Sequence, residues 1–181
     1  MTQQQQLPPG IDEALSYMKH QAGKGLESLA ALMQRTEQDW ARCLETMSEP
    51  QASFAPEGEW NAKNVLRHFL ESTVTVNQQV QAAAQGRPID WPHANAQLNN
   101  QPARDETRTI SQLRANVEAL LSDTVALVKQ LPEGDGLQTR FTHPFFGDLD
   151  VKEWVAFQRI HSMDHIGQIE KIKADAAYPA A

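Results

Sequence analysis

The chain has little cysteine, no long hydrophobic run and no concentration of basic charge. Its 181 residues include one cysteine, Cys43, which excludes an intramolecular disulfide and is typical of a reducing cytoplasm. No apolar stretch approaches the roughly 18 residues that a membrane span needs. The start of the chain, MTQQQQLPPG, has neither the basic nor the apolar region of a signal peptide. These absences predict a cytoplasmic protein with no membrane partner.

Positive charge is outnumbered by negative charge. The chain has 16 Lys and Arg against 23 Asp and Glu, a formal net charge of −7 and a pI near 5.3. A nucleic-acid-binding surface normally carries a basic stripe that replaces the counterions of the phosphates. The sequence has no run of Lys or Arg that would form one, so we expect no nucleic-acid partner.

Helical periodicity dominates the rest of the chain. Four segments carry apolar residues mainly at spacings of three, four and seven, which is the pattern of a helix with one buried face. They span about residues 11–47, 62–85, 107–131 and 151–174. No alternation of apolar and polar residues is long enough to predict a strand. The sequence therefore predicts an all-α fold, a four-helix bundle.

Local signals mark the ends of these helices. Asn61 is suited to cap the second helix, and Asp150 with Glu153 has the spacing of a capping box at the start of the fourth. Gly23 and Gly25 interrupt the first segment, and each costs up to about 1 kcal/mol relative to Ala. We expect the first helix to bend or to start late at these glycines.

Long connections join the four segments. They cover about residues 48–61, 86–106 and 132–150. Connections of this length do not force consecutive helices to be antiparallel neighbours, so a crossover topology is allowed, and they often carry function. We expect one domain over residues 11–175, a disordered lead-in over residues 1–10 and a tail over residues 176–181.

Two histidines stand one turn apart on the fourth helix. His161 and His165 project within about 40° of each other, so both rings can reach one metal ion. They share a stripe that ends in apolar residues and therefore faces the core. The stripe is Trp154, Gln158, His161, His165, Gln168 and Ile172. Burying its polar groups costs a few kcal/mol unless they have partners. A metal ion is one partner, with Gln158 and Gln168 supporting the ligands; a wet groove or hydrogen bonds across the core are the alternatives.

His68 is the candidate for a third ligand. It lies at the edge of the buried face of the second helix, and metal sites in bundles take ligands from facing helices. The other histidines are weaker candidates: we interpret His20 as solvated, His93 has no partner at ligand spacing, and His143 is more suited to shaping its loop than to reaching the site. Cys43 is interpreted as small core filler rather than as a thiolate ligand.

Two stretches of the chain resemble the DinB-like superfamily of small metal-dependent bundles, which is distinct from the translesion polymerase that shares the name. Residues 59–72 read EWNAKNVLRHFLES and are similar to the second-helix signature of the family. Residues 143–172 read HPFFGDLDVKEWVAFQRIHSMDHIGQIEKI and are similar to its closing signature, an HP-aromatic-FG loop, a Trp and H-x-x-x-H followed by Gln. The resemblance implies a bundle with a crossover connection, often a homodimer, in which His68, His161 and His165 hold the metal.

Three neutral imidazoles leave coordination positions open on a metal, an arrangement associated with catalysis. Imidazole suits Zn²⁺, which is our first choice, and also Ni²⁺. The resemblance implies a transferase that uses a low-molecular-weight thiol and a small-molecule substrate. The alternatives are a metal-dependent hydrolase and a non-enzymatic bundle whose ion is structural and whose loops bind a ligand or partner. Glu71 and Asp164 are the weak candidates for a general base, since neither has a spacing that requires this role.

The fourth helix is apolar on a second side. Ile160 and Met163 lie roughly opposite the histidine stripe. A second packing surface would explain them, and this predicts a homodimer; burial by the long connections is the alternative.

Overall fold

The computed structural model describes residues 10–89 and 105–180. Within these ranges the chain forms six α-helices, one short 3-10 helix and a two-stranded hairpin. The elements are α1 Ile11–Ala22, α2 Leu26–Leu44, α3 Glu49–Ser53, α4 Ala62–Ala84, α5 Ile110–Gln130, the 3-10 helix Asp135–Gln138, β1 Arg140–His143, β2 Gly147–Asp150 and α6 Val151–Lys173. Nearly all of the predicted lead-in, the end of the tail at Ala181, and both Trp91 and His93 lie outside the described residues.

The four long helices form the predicted bundle. Helices α2 and α4 each pack against both α5 and α6, and α1 packs along α6. Helices that follow each other in the chain, α2 with α4 and α5 with α6, thus occupy opposite corners of the bundle. The four-helix bundle is therefore confirmed, and its packing order is that of a crossover topology. None of the helices in residues 10–89 and 105–180 is long and apolar enough to cross a membrane.

The first predicted segment is two helices rather than one bent helix. Helix α1 ends before Gly23, and α2 starts after Gly25, whose φ of +87° is in the left-handed region that favours glycine. The connection after α2 contains the short helix α3, which the sequence did not predict. Its N-cap, Ser48, forms a capping box with Gln51.

The other helix ends agree with the local signals to within a few residues. The side chain of Asn61 accepts a hydrogen bond from the Asn64 amide at 2.8 Å, so it caps α4. The predicted capping box of α6 is present: the Asp150 carboxylate accepts from the Glu153 amide at 2.8 Å, and the Glu153 carboxylate accepts from the Asp150 amide at 2.9 Å. Helix α5 starts three residues later than predicted, because the Thr109 side chain caps it.

The expectation that the chain has no strands is wrong for the connection before α6. Strands β1 and β2 pair antiparallel there, with Phe141 opposite Leu149. Both of these side chains are buried, and the Phe141 ring stacks on Trp154 with centroids 4.5 Å apart. The Trp154 indole N–H donates to the Phe141 carbonyl at 3.1 Å. A hairpin of four-residue strands is too short for a periodicity signal, and contact with α6 stabilises it.

The core consists of two apolar clusters. One surrounds Trp154 at the end of the bundle that carries the hairpin, and the other surrounds Trp40 and Phe69 at the opposite end. The predicted buried faces of all four segments contribute to these clusters. Of the predicted metal ligands, His161 and His165 lie on α6 between the two clusters, and His68 lies next to Phe69 on α4.

Candidate metal centre

The structure brings the three predicted ligands together. His68 comes from α4, and His161 and His165 come from α6, which packs against α4. One ring nitrogen from each histidine lies within 4.8 Å of the others. The ring centroids are 4.3 Å apart for the pair on α6 and 5.0 and 5.8 Å from His68 to that pair. The one-turn spacing on α6 and the facing position on α4 therefore converge as the sequence predicted.

The closest approach in the cluster joins the two rings on α6. Nε2 of His161 and Nε2 of His165 are 2.8 Å apart. Two imidazole nitrogens can be this close if one donates a proton to the other or if a cation lies between them. A divalent ion bonded to imidazole at about 2.0–2.1 Å bridges two nitrogens up to about 4.2 Å apart. The His161–His165 pair lies within this span, and a ring nitrogen of His68 lies within 4.8 Å of both.

Gln168 fixes the orientation of the His165 ring. Its Oε1 lies 2.8 Å from Nδ1 of His165. Because an amide oxygen only accepts hydrogen bonds, Nδ1 of His165 carries the proton and Nε2 presents a lone pair to the cluster. A ligand histidine whose second nitrogen is bound in this way is typical of protein metal sites. Gln158 has a different contact: its Nε2 donates to Oδ1 of Asn77 at 3.1 Å.

Burial favours the neutral form of the two histidines on α6. It lowers the pKa of His161 well below the ordinary 6.5, and the neighbouring His165 and His68 lower it further. Burial also lowers the pKa of His165, although the hydrogen bond to Gln168 and the charge of Asp164 oppose this shift. Only the neutral ring has a lone pair for a metal, so this environment favours cation binding at neutral pH.

Aromatic rings pack against the cluster. The His161 ring stacks with Phe69 and with Phe157, with centroid distances of 6.0 and 5.5 Å and interplanar angles of 27° and 26°. Trp60 packs edge-on against His68 at 5.5 Å. Phe157 was not predicted as a residue of the site. Its position four residues before His161, on the same helical face, was the available signal.

The two weak candidates for a general base lie at the surface. The Glu71 side chain is 55% exposed and pairs with Arg67 at 3.8 Å. Asp164 is also exposed, and its charge partly opposes the lowering of the His165 pKa by burial. A role of either carboxylate as general base stays a prediction.

His143 shapes its loop, as the sequence predicted. Its Nδ1 accepts hydrogen bonds from the amides of Phe145 and Phe146 at 3.1 and 3.3 Å. The ring is buried and packs against Phe157 at 4.5 Å, and burial lowers its pKa to about 4.

Cys43 is core filler, since it is buried and its thiol pKa is raised to about 12. His20 is exposed on α1.

The chemistry of the donor set fits a divalent metal. Three neutral imidazole nitrogens suit zinc, nickel and other borderline ions, and they leave coordination positions open. Across residues 10–89 and 105–180, His68, His161 and His165 are the group of three or more potential ligands close enough to share an ion. Which ion they bind stays a prediction.

Comparisons with known proteins agree with this geometry. The family model of the DinB superfamily matches residues 32–169. The chain is 25% identical over 144 residues to the uncharacterized protein YuaE of Bacillus subtilis (strain 168), which covers 72% of this chain and 88% of YuaE. It also matches the structure of YfiT from Bacillus subtilis, described as a probable metal-dependent hydrolase with an unusual four-helix bundle topology. That match has a TM-score of 0.59 and 16% identity over 82% of this chain and 85% of YfiT. The family match covers most of the sequence, including His68, His161 and His165, and the chain therefore belongs to the DinB superfamily.

Proposed function

We propose that the chain is a metal-dependent enzyme of the hydrolase type that acts on a small molecule. His68, His161 and His165 hold a divalent ion, with Zn²⁺ preferred over Ni²⁺. The observation that carries this proposal is the convergence of three imidazoles from two helices, within 4.8 Å of one another. The description of YfiT as a probable metal-dependent hydrolase supports the same class of reaction.

The chain's own residues prepare the site for such an ion. The hydrogen bond from Nδ1 of His165 to Gln168 orients one ligand, and the stacking of Phe69 and Phe157 on His161 restricts another. Neutral ligands leave the positive charge of the ion uncompensated and available to a substrate. When bound, the ion would supply Lewis-acid chemistry that polarises a carbonyl and lowers the pKa of water to about 7.

Metal analysis and paired variants test the proposal. We expect the purified protein to bind about one divalent ion, and His161→Ala and His165→Ala to lose it together with hydrolysis of small ester and amide substrates. His20→Ala is the matched control, because this histidine is exposed on α1 and far from the cluster in sequence. A protein that binds no divalent ion at micromolar concentration would overturn the proposal.

The same experiment separates the alternatives from the sequence analysis. Thiol transfer is assayed with glutathione and a chlorodinitrobenzene acceptor; activity there, without ester or amide hydrolysis, favours the thiol-dependent transferase. A bound ion without either activity, combined with a large fall in the melting temperature of His161→Ala, favours a structural ion.

The predicted homodimer also remains a proposal. Met163 is 42% exposed on α6, whereas Ile160 packs partly against the core cluster around Trp154. An apolar side chain at the surface suits a second packing surface, although one residue is a small patch. Light scattering of the wild type and of Met163→Glu measures the mass directly, and a monomeric wild type would exclude the dimer.

A further inference from the structure

A buried polar layer separates the two apolar clusters of the core. On each of the four long helices, polar residues lie where the residues of one cluster give way to those of the other. The layer consists of Thr36 on α2, Thr73 and Asn77 on α4, Thr124 on α5, and Gln158 and Ser162 on α6. Five of these six residues are at most 4% exposed, and Asn77 is partly buried. An apolar bundle would have aliphatic residues at this level.

Part of the layer is a directed chain of hydrogen bonds. Thr124 donates its one hydroxyl proton to the Leu120 carbonyl at 2.8 Å, so it can only accept from Asn77. Nδ2 of Asn77 donates to Oγ1 of Thr124 at 2.7 Å, which leaves Oδ1 of Asn77 to accept from Nε2 of Gln158 at 3.1 Å. The direction of these hydrogen bonds fixes the orientation of the Gln158 amide group. Oε1 of Gln158 therefore needs a hydrogen-bond donor from another group.

Three buried polar atoms of the layer have no partner among the described residues. They are Oε1 of Gln158, Oγ1 of Thr73 and Oγ of Ser162. The other three threonines in the described helices, at positions 36, 75 and 124, each donate to the carbonyl four residues earlier. Thr73 and Ser162 make no such bond, although this partner is available to any helical hydroxyl. Leaving such groups unsatisfied in a core costs a few kcal/mol each.

The residues that carry the three atoms lie on facing stretches of α4 and α6. Phe69, one turn before Thr73, contacts His161, and Asn77, one turn after Thr73, contacts Gln158. Thr73 therefore faces the stretch of α6 from Gln158 to His161, and Ser162 is the next residue of that helix. This level also adjoins the metal ligands, because Ser162 directly follows His161 in the chain.

We propose that the polar layer is a binding site for internal water between α4 and α6, next to the histidine cluster. One acceptor and two hydroxyls, each of which can donate or accept, match a water molecule that makes about three hydrogen bonds, as buried waters do. Water donates to Oε1 of Gln158 and exchanges hydrogen bonds with Thr73 and Ser162. The site does not depend on a metal or on the proposed reaction.

A crystal structure at about 1.5 Å resolution tests the site directly. We expect an ordered water within 3.5 Å of at least two of the three atoms, in crystals grown with a chelator as well as with metal. Hydroxyls of Thr73 and Ser162 turned onto their own helix carbonyls, with no water between α4 and α6, would overturn the proposal.

Paired substitutions provide a second, independent test. Thr73→Val and Ser162→Ala each remove a water partner and are expected to lower the melting temperature by about 3–6 °C. Because both bind the same water, the loss in the double variant should be clearly smaller than the sum of the two single losses. Thr75→Val is the matched control, since its hydroxyl bonds only the Glu71 carbonyl. A higher melting temperature for Thr73→Val, or additive losses, would contradict a shared water.

Discussion

Replacing His143 with asparagine is expected to make the fold less sensitive to acid between pH 6.5 and pH 4. Burial lowers the pKa of His143 to about 4 in the folded protein, whereas the ordinary value of 6.5 applies when the chain is unfolded. Between these values the unfolded chain binds a proton that the folded chain does not. Stability contributed by neutral His143 is therefore complete above pH 6.5 and is lost as the pH falls to 4.

The magnitude follows from the difference between the two pKa values. A change of one pKa unit corresponds to about 1.4 kcal/mol, so His143 accounts for a loss of about 3 kcal/mol in the free energy of unfolding by pH 4. In His143→Asn, Oδ1 can take the place of Nδ1 and accept from the amides of Phe145 and Phe146. The variant loses packing against Phe157 at every pH but no longer titrates.

The assay is urea denaturation of both proteins at half-unit steps from pH 7.5 to pH 4, with a chelator to remove metal-linked protonation. His161 and His165 are present in both proteins, and the charge of His143, the smallest of the causes that lower the pKa of His161, acts only in the wild type. We expect the stability gap between wild type and His143→Asn to narrow by about 3 kcal/mol as the pH falls. Parallel curves for His143→Asn would refute the reasoning.

Four further substitutions have expected outcomes. Gly136→Ala should destabilise the protein by more than about 2 kcal/mol, because its new Cβ would lie 2.2 Å from the Ala84 carbonyl oxygen. Gly167→Ala should instead stabilise α6 by up to about 1 kcal/mol, because no atom lies within 4 Å of its new Cβ. Chemical denaturation measures both changes in the free energy of unfolding. Trp154→Phe should cost about 1–3 kcal/mol in the same assay, since it removes the hydrogen bond to the hairpin. Gln168→Leu should weaken zinc affinity by about 10–100-fold in competition with a chromogenic chelator, and unchanged affinity would show that Gln168 does not orient His165.

The parts of the fold that local sequence determines were predictable. Helical periodicity and capping need only residues within a few positions of each other, and this is why the Asn61 cap and the Asp150–Glu153 box were identified correctly. The convergence of the histidines was also predictable, because the apolar ends of the α6 stripe indicate which way His161 and His165 face. His68 followed from the general need for a ligand on a facing helix.

The parts that depend on contacts between distant segments were not predictable. The hairpin is stabilised by Trp154, which follows it on another element, and its strands are too short to show alternation. The contact of Asn77 with Gln158 joins residues 81 positions apart and has no local signal. The contact of Phe157 with His161 was not predictable either, because helical spacing does not determine the direction of the Phe157 ring.

The placement of the predicted ligands has a consequence for fragments of the chain. His68 lies on α4, whereas His161 and His165 lie on α6, much later in the sequence. A nascent chain or a fragment that ends before residue 161 therefore has one of the three ligands and cannot form the cluster. Metal that binds only the folded chain stabilises it by mass action. A bound divalent ion should thus protect molecules that contain α6 from proteolysis, while fragments that end before residue 161 stay susceptible.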